Sequence, residues 1–222
     1  PARRYPNAGS LAADLKAFHR RAFSPRATAL LISGDFEPAL LGQLVQASFG
    51  SWKGGDRLVR SYPAAPAAQR RVILVPKATP QAKVRIGGPG YQRRSEDEYA
   101  MRLVNTSLGA FGVGRLYKEI RDAKGLAYSA SSSVSPGPTT GLFTASFDTR
   151  PEQVGAALEA ALKILEEEAT VAPPSPAELR QGADMAINSF AFRFDHPSKI
   201  VFEKALFDLF GYREDYLERY RD

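Results

Sequence analysis

The chain of 222 residues contains no cysteine and only two histidines. The first absence removes disulfides, thiolate zinc sites and cysteine nucleophiles. The second lets metal chemistry be checked residue by residue. His19 is followed by Arg20, Arg21, Ala22 and Phe23, and His196 by Pro197, Ser198, Lys199 and Ile200, so neither H-E-x-x-H nor H-x-x-E-H occurs. No G-x-S-x-G elbow accompanies them, which argues against a serine triad. The expected places are a helix surface for His19 and a helix-capping loop for His196. Long apolar runs are also missing: Ala29–Ile32 with its small neighbours falls far short of the roughly 20 residues that cross a bilayer. Basic residues outnumber acidic ones only 30 to 24 and lie in scattered pairs such as Arg20-Arg21 and Arg93-Arg94, so no nucleic-acid stripe is expected.

What is present suits a folded domain, because 44% hydrophobic residues can supply a core. Pro1 to Pro6 carries basic residues with no apolar stretch behind them, and is expected to be an internal point of a longer protein. Leu11, Leu15, Phe18 and Ala22 share one helical face behind Ser10, predicting a helix over 10–22. The apolar run from Ala27 to Ser33 predicts a buried strand, and Pro38 to Ser48 a second helix. Residues 51–70 are rich in Gly, Pro and Ala and predict a linker.

Strands are expected at Arg71–Val75, Ala82–Ile86, Ala127–Val134 and Gly141–Asp148. Helices are expected after the capping-box pair Ser95/Glu98, over Arg115–Ala123 with Gly125 as its left-handed stop, over Glu152–Glu168, after a second capping box at Ser175/Glu178, and over Ile200–Phe210. A further short helix is expected toward Asp222. The order predicts an α+β fold, a largely antiparallel sheet packed on one face by several helices. The predicted division is 1–50 as a helix-strand-helix tail of a preceding homologous domain, 51–70 as linker, and 71–222 as a second domain that continues beyond the chain. On that division residues 10–48, through strand 27–33, are expected to pack against the 71–222 domain, within one chain as a permuted fold or between two chains as a swap.

Gly109, Gly112 and Gly114 fit no phosphate-loop spacing and predict a tight joint between helices, and Glu166-Glu167-Glu168 a solvated face. The segment from Arg115 to Tyr128 holds more chemistry. Arg121 falls in the last turn of a helix, Gly125 reverses the chain and Tyr128 opens a strand, so two strong donors can emerge on one side of a turn. A helix-end arginine and a strand tyrosine also have ordinary structural uses.

Leu108-Gly109-Ala110-Phe111-Gly112-Val113-Gly114-Arg115-Leu116-Tyr117-Lys118-Glu119-Ile120-Arg121, with Gly125-Leu126-Ala127-Tyr128-Ser129, resembles the second domain of the insulinase/pitrilysin zinc metallopeptidases. Phe18-His19-Arg20-Arg21, Leu31-Ile32-Ser33-Gly34-Asp35 and Phe49-Gly50-Ser51-Trp52 resemble the end of that family's first domain. The resemblance implies that Arg121 and Tyr128 are the catalytic-site pair that faces zinc across a chamber and hydrogen-bonds substrate backbone oxygens. It implies a substrate-clamping, active-site-completing part of a zinc metalloendopeptidase, with an extended peptide as substrate. The zinc motif itself is absent, so zinc is expected in a missing homologous domain or a partner subunit, and this chain alone is expected to be inactive and zinc-free. A homodimer is a further partner the resemblance allows, and it is compatible with the bacterial periplasm or cell envelope. The alternative on the same fold is a non-catalytic scaffold or core subunit of a larger complex, which needs no Arg/Tyr pair.

Overall fold

A computed structural model describes residues 6–55, 61–64, 67 and 69–216. The chain forms two compact units, Tyr62–Ser189 and the pair of segments Pro1–Ser61 and Phe190–Asp222.

In the first of these, strands β1 (Ala82–Pro89), β2 (Ala127–Ser135) and β3 (Leu142–Thr149) form an antiparallel sheet in the order β1-β3-β2. The register sets Val84 beside Phe147 and Ile86 beside Ala145, with Ala130 beside Phe147 on the other flank. Side chains alternate across a pleat, so these rows share one face. That face is covered by α3 (Glu98–Gly109), a π-helical segment (Tyr117–Ala123) and α4 (Val154–Thr170). The core joins Leu108, Leu116, Ile120, Ala145 and Phe147 to the small residues Ala157, Ala160 and Ala161 of α4. Alanines at that spacing let α4 lie close to the sheet. On the outward rows Lys83 and Arg85 flank Asp148 at 2.9 and 3.2 Å, and both cations hold its carboxyl below the usual range. The fold is therefore α+β, with an antiparallel sheet and helices packed on one face.

Helix α5 (Pro176–Phe190) opens with the expected capping box: Ser175 N–H donates to Glu178 Oε2 at 2.8 Å, and Glu178 N–H to Ser175 Oγ at 3.3 Å. The other expected box does not form. Ser95 Oγ accepts from Asp97 N–H, α3 begins at Glu98, and the Glu98 side chain turns inward to accept from Arg102 at 2.6 Å. A charge-assisted bond to a buried carboxylate outcompetes a cap here.

The second unit contains α1 (Ala8–Ala22), α2 (Pro38–Phe49) and α6 (Pro197–Phe210). Helix α1 starts two residues before the expected point because Asn7, not Ser10, is its N-cap. Asn7 Oδ1 accepts from Ser10 N–H at 2.9 Å, and the Ser10 hydroxyl serves as the reciprocal partner. His196 caps α6 through Nδ1, and His19 lies on α1 stacked against Phe23 at 5.0 Å. Phe207, Tyr212 and Tyr216 form an aromatic cluster with centroids 4.6 to 5.5 Å apart. Arg193 reaches Glu203 with two hydrogen bonds of 2.8 and 3.2 Å.

Two expected strands are corrected. After a 3-10 turn at Pro25–Ala27, residues 28–33 run without regular structure and form no strand. Arg71 to Val75 is likewise irregular, with Val72 95% exposed. Both runs have strand-like composition, but a strand exists only where a neighbour completes its ladder. The helix expected toward Asp222 is a 3-10 turn at Glu214–Tyr216, and the rest of that expectation lies outside the described residues, as do Leu58 and Val59 of the expected linker.

Candidate functional site

The site grows from the joint that follows α3. Gly109 sits so close to β2 that a Cβ there would collide with Ser132, backbone nitrogen included, which explains the glycine at this crossing. The joint hands the chain to Arg115, whose guanidinium grips Glu178 in two parallel bonds of 2.7 and 2.8 Å and also donates to the carbonyls of Ala172 and Pro173. That fork fixes the start of the following segment against the α4–α5 connection. Glu178 is held down to about 2, first by its hydrogen bonds from Arg115. Glu168 stands 4.0 Å from the same guanidinium, is 7% exposed and accepts from the Ser107 hydroxyl at 3.2 Å, and burial pushes its carboxyl up. The expected solvated face of Glu166-Glu167-Glu168 is thus corrected at its last member, which points into the fold.

From Arg115 the chain enters a π-helix instead of the expected α-helix. Lys124 N–H donates to Glu119 C=O, five residues back, at 3.0 Å. Leu116 and Ile120 enter the core at 1% and 0% exposure, which turns Tyr117 and Arg121 onto the adjoining face. Gly125, at φ +59, stops the helix as expected. Gly125 N–H donates to Arg121 C=O at 3.0 Å and Leu126 N–H to Ile120 C=O at 2.8 Å, closing the last turn.

Strand β2 begins two residues later with a bulge. Ala127 pairs with Thr149 and Ala130 with Phe147, so β2 holds one extra residue over the stretch that contains Tyr128. Tyr128 is 79% exposed, and its ring centroid lies 5.6 Å from the guanidinium carbon of Arg121. Arg121 and Tyr128 therefore meet on one surface, the first from a π turn and the second from a bulge. Sequence reasoning missed a third member, Tyr117. Its hydroxyl accepts from Arg121 Nη1, and its ring centroid lies 4.7 Å from the guanidinium carbon. The four-residue spacing of Tyr117 and Arg121 on one helical face was the signal available.

A groove of about 660 Å³ lies between the π segment and α4, and neither Arg121 nor Tyr128 lines it. On its walls Lys124 pairs with Glu119 at 3.2 Å and Lys163 with Glu167 at 3.7 Å, which leaves little net charge there. Among the described residues no three His, Asp or Glu side chains converge as metal ligands, so these residues do not fit a zinc ion. No described helix is long and apolar enough to cross a membrane.

The chain is similar to known proteins. Over 153 residues the chain is 33% identical to an uncharacterized zinc protease of Streptomyces coelicolor, and over 162 residues 29% identical to one of Mycobacterium tuberculosis. These alignments take in 65% and 69% of this chain but only 33% and 36% of the relatives, so the chain spans about a third of their length. The crystal structure of a peptidase M16 inactive domain from Pseudomonas fluorescens superposes with a TM-score of 0.78 at 23% identity, covering 96% of this chain and 52% of that one. Residues 10–184, which include the whole Arg121–Tyr128 surface, match the family described as the peptidase M16 inactive domain, and the chain belongs to that branch of the insulinase-like peptidases.

Proposed function

We propose that this chain is the substrate-clamping, active-site-completing part of an insulinase-like zinc metallopeptidase. The observation that carries the reading is the meeting of Arg121 and Tyr128, two donors of different reach, on one exposed surface with 5.6 Å between guanidinium carbon and ring centroid. Arg121 Nη1 is engaged by Tyr117 and, at 3.3 Å, by Asp122, whereas its Nε and Nη2 and the Tyr128 hydroxyl bond to no described residue. Those free donors suit the backbone oxygens of an extended peptide, and the same N–H and O–H groups stabilise negative charge that develops on a carbonyl oxygen during acyl transfer. Zinc, on this reading, belongs to a homologous domain or subunit that this chain meets. The greater length of the zinc-protease relatives leaves room for such a domain.

The test joins this chain to its zinc-bearing domain or subunit and follows hydrolysis of an unstructured peptide. Arg121→Ala and Tyr128→Phe are each expected to lower turnover about ten- to a thousandfold, the scale of losing one oxyanion donor. Unchanged kinetics in both variants would remove the pair from the reaction and favour the scaffold alternative.

A further inference from the structure

An arginine that is to meet a peptide carbonyl must be held, because its long side chain otherwise samples many rotamers and loses that freedom on binding. Four observations show how Arg121 is held. Its Nη1 donates to the Tyr117 hydroxyl, and its guanidinium lies over the Tyr117 ring at 4.7 Å, well inside the roughly 6 Å reach of a cation–π contact. Tyr117 is itself 7% exposed, so its ring is fixed by the packing around it. Phe111, from the joint after α3, meets that ring edge-on at 5.1 Å and 64° although it is 71% exposed. The π turn supplies the backbone on which Tyr117 and Arg121 share a face.

We propose that Tyr117 is a positioning residue, which anchors one arm of the Arg121 guanidinium so that Nε–H and Nη2–H stay presented beside Tyr128, and that Phe111 braces the Tyr117 ring from the solvent side. The inference rests on Arg121 and Tyr128 as peptide-binding donors for its functional meaning, but not for its test. Hydroxyl and ring make separable contributions. The hydroxyl fixes the direction of one N–H, and the ring fixes the plane of the fork. Phe111 contributes only through the ring.

The test uses the ¹⁵N-labelled chain and the arginine side-chain resonances, with Arg121 assigned by their loss in Arg121→Lys. Ring current from Tyr117 displaces the Arg121 Hε signal from that of a solvated arginine. Tyr117→Phe keeps the ring, so the displacement is expected to persist while exchange of the Nη1 protons with water accelerates at least tenfold. Tyr117→Leu is expected to bring both signals to solvated values, and Phe111→Ala to shrink the displacement without abolishing it. Tyr117→Phe is nearly isosteric and decides the matter if Tyr117→Leu does not fold. An Arg121 side-chain spectrum and exchange rate unchanged in folded Tyr117→Phe would overturn the proposal. Binding of a fluorescein-labelled unstructured peptide to the same samples separates the two readings. Spectral changes as expected, with equal affinity in wild type and Arg121→Ala, leave Tyr117 as the anchor and refute the peptide clamp. A loss of affinity in Arg121→Ala with a smaller, three- to tenfold loss in Tyr117→Phe supports both.

Discussion

The helices around the sheet and those of the second unit were built from similar sequence and ended differently. Helix α4 buries Ala157, Ala160, Ala161 and Ile164, and the π segment buries Tyr117 and Ile120. Helices α1, α2 and α6 bury no residue, and Leu15, Leu44 and Phe202 on them stay more than half exposed. All five segments carry apolar side chains that recur at helical spacing. Periodicity makes a helix locally, but burial needs a second surface, which the sheet supplies to α4 and the π segment. The irregular runs 28–33 and 71–75 teach the same lesson for strands.

Four measurements sharpen or break this contrast. The largest effect is expected from Ile120→Ala, which empties a fully buried position and should cost about 2–5 kcal/mol in urea denaturation. Arg115→Ala should cost about 2–3 kcal/mol, because it strips Glu178 of its fork and leaves buried Glu168 without its nearest cation. A smaller effect appears in acid. Glu178 ionises near 2 in the folded chain against an ordinary 4.5, so its contribution is complete above 4.5 and drains away as pH falls toward 2. Glu168, raised by burial, acts in the opposite sense and gains stability on protonation, so Glu178→Gln should flatten the acid limb and Glu168→Gln steepen it. The smallest effect belongs to Leu15→Ala, expected within about 0.5 kcal/mol of wild type. A loss of 2 kcal/mol or more there would mean that the apolar face of α1 is covered in solution, and the contrast would fail.

Much of the fold was legible wherever a single residue type dictates a backbone state. Gly125 stops its helix, Pro38 opens α2, and Ser175 with Glu178 caps α5, each for a reason that is local. The pair Ser95/Glu98 had the same spelling and failed because Arg102 offered Glu98 a better partner one turn away. At the site, the sequence brought Arg121 and Tyr128 into view and missed how they are aimed. A π turn and a β-bulge have no composition of their own; each is a count of residues between hydrogen bonds, decided by what must be buried on either side. Tyr117 escaped notice because an aromatic at helical spacing reads equally well as core, and its ring is in fact buried while its hydroxyl serves Arg121.

The π turn has one more consequence, for insertion and deletion. A helix that closes its hydrogen bonds five residues back has, in effect, accommodated one residue more than an α-helix of the same span. Removing a single residue between Tyr117 and Arg121 would let the segment close as an α-helix over the same span, with the chain on either side left in place and Tyr117 and Arg121 three positions apart instead of four. The pairing of the Tyr117 ring with the Arg121 guanidinium would then change with neither residue altered. That pairing is thus set by the number of residues in the segment as well as by their identity.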